Sequence, residues 1–215
     1  MTGSELNQRK ETPYALALTG ASGMPYALRL LEVMLKTGHR VDLMVSAPGQ
    51  VVISMETDIK LPGNCAAIGR FLAERYAVDE ALLRVFGREE WTAPLASGSS
   101  APKAMVVCPC TTGTLASIAV GTSNNLIERA ADVVIKEGRK LVLVPREMPF
   151  SAIHLENMLK LARLGVVIMP PSPGFYQGVQ SIEDLVDFVV ARILDQIGID
   201  NDLSPRWGEN PDTPA

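Results

Sequence analysis

The residues from Tyr14 to Leu31 constrain this chain more than any others. Tyr14-Ala-Leu-Ala-Leu18 is a short apolar run of the kind that forms a buried strand, and it stops abruptly at Thr19-Gly-Ala-Ser-Gly23. Pro25 suits the first turn of a helix, where a missing N–H costs nothing. Ala27, Leu28, Leu30, Leu31, Met34 and Leu35 then repeat at helical spacing. Strand, glycine turn and helix bring free backbone N–H groups to a helix N-terminus, a natural cradle for phosphate, with Thr19 and Ser22 adding hydroxyls. On these residues alone a helix-capping turn that holds nothing is an equal reading.

The dinucleotide fingerprint needs three glycines and an acid about 20 residues further on for the ribose. Leu18 stands where the first glycine belongs, and the second apolar run, Val41-Asp-Leu-Met-Val45, ends in Ser46 with no acid following. A ligand with one phosphate fits better than NAD.

Further along, apolar runs alternate with helical patterns. A strand at Val41–Val45 precedes a helix from Pro48 to about Thr57 and another over Asn64–Ala77. Strands follow at Leu82–Phe86 and Ala104–Cys108, then a loop, Pro109-Cys-Thr-Thr-Gly-Thr114, opening a helix. A helix over Asn125–Glu137, a strand at Leu141–Val144, a helix capped by Ser151, a strand at Val166–Met169 and a helix over Ile182–Ile197 complete the order. This alternation predicts a single-domain Rossmann-like (flavodoxin-like) α/β fold, three-layered around a mostly parallel sheet. Residues 1–13 are polar and aperiodic and read as a disordered leader; 14–198 form the domain; 199–215 are a tail.

With 47% hydrophobic residues and a net charge of −4, the chain is not a basic nucleic-acid binder. No apolar run is long enough for a membrane span and no signal peptide is evident, so cytoplasmic residence is the default expectation. Cys65, Cys108 and Cys110 suit neither a disulfide framework nor, with only His39 and His154, a metal site.

In such a sheet ligands bind beyond the carboxyl ends of the strands, where Gly20–Gly23, Ser46, Thr111–Thr114, Arg146–Glu147 and Phe175–Tyr176 should gather. Thr111, Thr112 and Thr114 hold a ligand or simply cap a helix, which takes only one of them. Arg146 and Glu147, stiffened by Pro145 and Pro149, are a phosphate-binding cation and a proton-moving carboxylate, or a loop salt bridge. Arg129 and Lys136, seven residues apart on one helix, face the same way; they meet a phosphate together or pair with Asp132 between them. Tyr176 caps a ligand or packs on the sheet, and Trp207 is an aromatic in a polar tail.

Taken in order, Gly20-Ala-Ser-Gly23, Glu56-Thr-Asp58, Ser97-Gly-Ser-Ser-Ala-Pro102, Cys108-Pro-Cys110, Asn125-Leu-Ile-Glu-Arg-Ala-Ala-Asp132, Pro145-Arg-Glu147, Pro173-Gly-Phe-Tyr176 and Pro205-Arg-Trp207 resemble the UbiX-type flavin prenyltransferases. The resemblance implies an FMN-binding homo-oligomer, a dodecamer with sites between subunits, the C-terminal tail packing on a neighbour. It implies transfer of the dimethylallyl group of dimethylallyl monophosphate to N5 and C6 of reduced FMN, the product serving a UbiD-type decarboxylase. Residue by residue, it implies that Gly20, Ala21, Ser22, Ser46, Thr111, Thr112, Gly113, Thr114 and Arg146 hold FMN. Arg129, Lys136, Tyr176 and Arg192 would bind the prenyl phosphate, Trp207 would form an aromatic wall, and Glu147, with Ser22 and Glu56, would move protons. The chain has no Asp-rich run for a metal-bound diphosphate, which agrees with a metal-independent monophosphate reaction. Two other readings are an FMN-dependent cysteine decarboxylase of the same superfamily and a non-catalytic flavin-binding assembly protein. The first typically uses a histidine after the first glycine loop and an Asn-containing motif, where this chain has His39 before a strand and Pro109-Cys-Thr-Thr-Gly113 at the corresponding strand end; the second leaves the cations and Glu147 without a role.

Overall fold

A buried parallel strand must be apolar on both faces, and the strands here are. In the computed structural model, which describes residues 12–175 and 178–206, β1 (Tyr14–Leu18) and β4 (Ala104–Cys110) are buried along their whole length. With β2 (Val41–Val45), β3 (Leu83–Phe86), β5 (Lys140–Pro145) and β6 (Val167–Ile168) they form a six-stranded sheet. Its order is β3-β2-β1-β4-β5-β6 and every pairing is parallel. This is the doubly wound Rossmann order, in which the chain starts mid-sheet and winds outward both ways.

Seven helices are described: α1 (Met24–Lys36), α2 (Ala47–Glu56), α3 (Cys65–Tyr76), α4 (Thr112–Val120), α5 (Leu126–Lys136), α6 (Ala152–Arg163) and α7 (Ile182–Ile197). Period-two alternation sorts the strand side chains between two cores. Leu16, Leu18, Val106 and Val142 pack with Leu30 of α1, Leu72 of α3 and Val190 of α7. Ala15, Ala17, Met105 and Leu141 pack with Leu115 of α4, Ala130 of α5 and Leu161 of α6. Across the first face Arg29 of α1 grips both oxygens of Asp187 on α7, at 2.7 and 3.1 Å. Among the described residues no helix is long and apolar enough to cross a membrane.

The sequence expectations hold for element order and differ at some ends. β4 runs to Cys110 rather than Cys108: the strand continues through Pro109, whose peptide bond with Cys108 is cis, by a register shift between Val107 and Cys110. A proline cannot donate to the ladder, so an irregularity accommodates it where the sequence reads as a break. Thr112, Gly113 and Thr114 are therefore not loop but the first turn of α4, with Thr111 as its cap. At the sheet edge β6 keeps two residues of the four expected, having a neighbour on one side only. Residues 199–206 lie along their own α7: Ile199 is buried in the first core and Arg206 bonds Asp195 at 3.1 Å. The expected leader (residues 1–11 of it) and the tail from Trp207 onward lie outside the described residues.

One polar pair is built into the sheet. Asp42 on β2, 1% exposed, takes two hydrogen bonds from the adjacent Arg84 on β3, both 2.8 Å. Burial pushes the Asp42 carboxyl above its usual value while the Arg84 guanidinium pulls it back. Removing one partner strands the other, whereas an apolar pair fills the same space. Arg84→Met should cost about 2 kcal/mol or more in a urea melt, and Asp42→Leu added to it should recover most of that loss. Additive costs in the two variants would contradict the pairing.

Candidate active site

β1 and β4 are neighbours whose following helices leave on opposite faces, so a crevice opens beyond their carboxyl ends. Thr19 holds its base together. Its hydroxyl donates to the carbonyl of Pro109 at 2.7 Å and accepts from the amide of Thr111 at 2.8 Å. Thr19 is thus a clamp between strand ends, not the ligand donor that its position in the sequence suggests.

The glycine loop is shaped by close packing. A Cβ on Gly20 would lie 2.4 Å from Cβ of Pro48 in α2, so only glycine lets the loop lie against that helix. Gly23, at φ +119°, turns the chain into α1. The head of α1 carries unpaired amides that attract an anion. Here the anion belongs to the protein: Oε2 of Glu56, at the end of α2, accepts from the amides of Gly23 and Met24, each at 2.9 Å. Burial alone would raise the Glu56 carboxyl. The Ser22 hydroxyl, the two amides and the Arg146 charge outweigh it and hold the group below its usual value. Ser22, Glu56 and Arg146 therefore form one polar cluster, drawn from the glycine loop, the end of α2 and the loop after β5. The head of α1 is not the phosphate cradle that the loop suggests, because Glu56 occupies it.

A cleft of about 260 Å³ lies beside this cluster, lined among others by Gly20, Ser46, Phe86, Arg88, Thr111 and Thr114. Ser46 caps α2, its oxygen accepting from the amide of Gly49 at 3.0 Å. Thr111 caps α4: its oxygen accepts from the amide of Thr114 at 3.1 Å and lies 2.9 Å from the Thr114 hydroxyl. One threonine does the capping, as expected. The amides of Thr112 and Gly113 in that first turn have no helical or side-chain acceptor among the described residues and remain available to a ligand. Hydroxyls, free amides, one cation and apolar walls suit the phosphorylated chain of FMN, and Gly20 provides close backbone approach.

Arg146 leaves the end of β5, its amide donating to the carbonyl of Cys110 at 3.3 Å. Glu147 follows, one oxygen accepting from the amide of Met148 at 3.2 Å. The loop salt bridge is not formed; Arg146 acts on Glu56 instead.

The remaining expected residues lie elsewhere. Arg129 bonds Asp132 at 2.7 Å and the carbonyl of Ala96 at 3.1 Å. Lys136 pairs with Glu137 rather than Asp132, both against Gly98. Lys136 ends α5, just before β5 starts at Lys140, and Arg146 follows the other end of that strand. Six residues of strand span roughly 20 Å, so Lys136 and Arg146 are on opposite edges of the sheet. Arg192, on the later half of α7, bonds Asp195 at 2.8 Å. Tyr176 and Trp207 lie outside the described residues. Phe86, which ends β3, and Arg88, two residues beyond it, also line the cleft; the strand at Leu82–Phe86 is expected from the sequence, but the loop after it is not among those expected at the ligand edge. Among the described residues no group of three or more His, Cys, Asp and Glu side chains is arranged to hold a metal ion.

Residues 2–194 match the Flavoprotein family. The chain is 59% identical over 194 residues to flavin prenyltransferase UbiX of Pseudomonas aeruginosa, covering 90% of this chain and 93% of that one. The crystal structure of AnUbiX (PadA1) in complex with FMN and dimethylallyl pyrophosphate superposes with a TM-score of 0.82 at 38% identity, covering 93% of this chain and 98% of the other. A dodecameric FMN-dependent Ubix-like decarboxylase from Escherichia coli O157:H7 gives 0.80 at 40% identity, covering 91% and 98%. The chain belongs to the Flavoprotein family, among its UbiX-type flavin prenyltransferases.

Proposed function

We propose that this protein transfers the dimethylallyl group of dimethylallyl monophosphate to reduced FMN, making prenylated FMN for a UbiD-type decarboxylase in the cytoplasm. The observation that carries this reading is the Ser22–Glu56–Arg146 cluster, which shares the glycine loop with the hydroxyl-lined cleft that Gly20 borders. Bound reduced FMN would supply the electron-rich ring that receives the prenyl group. Ser46 and Thr111 to Thr114 would hold its chain, Gly20 and Ala21 would lie against it, and Arg146 would face the ring. Glu56, ionised and hydrogen-bonded to Ser22, can take a proton through that hydroxyl and return it.

Departure of a phosphate needs cations and a proton donor where charge develops. Arg129, Lys136, Arg192 and Tyr176 would bind that phosphate, Glu147 would exchange a proton with it, and Trp207 would help wall the allylic group from water. Lys136, at the C-terminal end of α5, sits at the end of the sheet away from Arg146 and Glu147, so the complete site would join one chain's carboxyl edge to the end of a neighbour's α5. A closed homo-oligomer, a dodecamer as in the E. coli relative, supplies such a contact. The division into a 14–198 FMN-binding unit and a tail that reaches a neighbour beyond residue 206 is part of this proposal. The cysteine decarboxylase reading has no base at the glycine loop: His39 lies before β2, its ring edge-on to Tyr14 at 5.3 Å.

The direct test is the mass of flavin released after reduced FMN is incubated with the protein and the prenyl donor. A flavin heavier by one isoprene unit is expected with the monophosphate, in EDTA as well as without it. Product formed only from the pyrophosphate with added Mg²⁺ would overturn the donor assignment. In the same assay Glu147→Gln should bind flavin normally and turn over about a hundredfold more slowly; near-normal turnover would leave the phosphate as its own acid–base group.

Glu56 makes a separate, pH-resolved prediction. Its folded value lies below the unfolded 4.5, so its contribution to stability is fully present above pH 4.5 and disappears as pH falls through the folded value. Wild type should therefore be more stable than Glu56→Gln at neutral pH, with the gap closing in acid. A gap that stays constant down to pH 3 would show that the carboxylate charge does nothing at the head of α1.

A further inference from the structure

We infer that Arg88 binds the phosphate of FMN and so fixes which way round the flavin lies; this rests on the FMN reading above. The argument is one of elimination among anion sites, followed by charge.

Four helix heads face the crevice; that of α2 offers little, since Pro48 has no N–H and the Gly49 amide donates to Ser46 at 3.0 Å, and two of the others are already filled. Glu56 takes the amides at the head of α1. At the head of α5, the Asn125 side chain accepts from the amide of Glu128 at 3.0 Å, and the buried Glu128 carboxylate accepts from the amide of Asn124 at 2.8 Å and from Thr122 at 3.0 Å. The Thr19 hydroxyl is committed to Pro109 and Thr111. What remains in the cleft is the Ser46, Thr111 and Thr114 hydroxyls beside the head of α4, and Arg88.

Arg88 is the one charged residue among those lining the cleft. Its guanidinium has no hydrogen-bond or ion-pair partner among the described residues. Its backbone is nonetheless held: the Arg88 carbonyl accepts from the amide of Leu126 at 2.8 Å, and Gly87 before it donates to Glu90 at 3.0 Å. The nearby acid is thus occupied by the turn, and the arginine is presented from a tethered loop. A planar guanidinium with several donors matches a phosphate dianion in charge and geometry.

The other pole of the crevice repels a dianion. Glu56 is ionised there and already uses the amides, the Ser22 hydroxyl and the Arg146 charge. The phosphate therefore goes to the Arg88 end, and the ring system goes to Ser22, Glu56 and Arg146, where proton transfer is needed.

FMN and riboflavin differ only by the phosphate, so their affinities separate this role from a structural one. Dissociation constants for both flavins would be measured by fluorescence quenching on wild type, Arg88→Ala and Arg88→Lys, each checked for an unchanged melting curve. Arg88→Ala should weaken FMN about tenfold, as expected for one charge-assisted contact at an open site, and leave riboflavin unaffected; Arg88→Lys should fall between. The FMN preference of wild type should also decline with salt more steeply than that of Arg88→Ala. An unchanged FMN constant in Arg88→Ala, or equal weakening of both flavins, would overturn the assignment while leaving the FMN reading intact. Failure of wild type to bind FMN would overturn both. If Arg88→Ala does not fold, Arg88→Gln, which keeps the polar stem, replaces it with the same expectations.

Discussion

A helix head that opens onto a ligand crevice would ordinarily be filled by the ligand's anion, and in this chain Glu56 fills it instead. That substitution governs the rest of the site. It anchors the glycine loop against α2, where Gly20 must be bare to clear Pro48. It places a carboxylate, held below its usual value, beside the Ser22 hydroxyl and within the field of Arg146. In the proposed arrangement it also leaves the hydroxyls and Arg88 of the cleft for the negative end of the flavin, so that one carboxylate would divide the crevice into a reacting end and a binding end.

Much of the fold was legible because buried parallel strands are apolar runs with abrupt ends. The runs at Tyr14–Leu18 and Val41–Val45 coincide with β1 and β2 residue for residue, and Ser46, Asn64, Ser151 and Ser181 cap helices as their identities suggest. Long-range side-chain contacts were not legible. Thr19 looks like a ligand hydroxyl from its neighbours and proves to be a clamp to a carbonyl ninety residues away. Glu56 could be identified as functional only by family resemblance, because its amide partners lie more than thirty positions earlier in the chain. Pro109 reads as the end of a strand, yet β4 carries on past it. Spacing offered Asp132 as a partner for either cation; it pairs with Arg129, and Lys136 pairs with Glu137, one residue along.

The two ends of β5 hold the larger lesson about function. Lys136 ends α5 near the start of β5, while Glu147, suited to moving protons, sits beyond the strand's other end. A parallel sheet separates its two edges by the length of its strands, and no side chain bridges that gap within one chain. If both residues act on one substrate, two chains must meet. Oligomerisation then completes the chemistry and is more than a source of stability, and the crowded turn at Gly98, against Lys136 and Glu137, becomes part of a binding face.

The most direct test of this shared site is complementation in mixed assemblies. Subunits carrying Glu147→Gln and subunits carrying Lys136→Ala, each strongly impaired alone, would be unfolded, mixed and reassembled, and prenylated flavin measured. If each site takes Glu147 from one chain and Lys136 from another, about a quarter of the interfaces regain both wild-type faces and activity returns. If both residues act within a single chain, no site in the mixture is intact, and the reassembled protein stays as inactive as its parents.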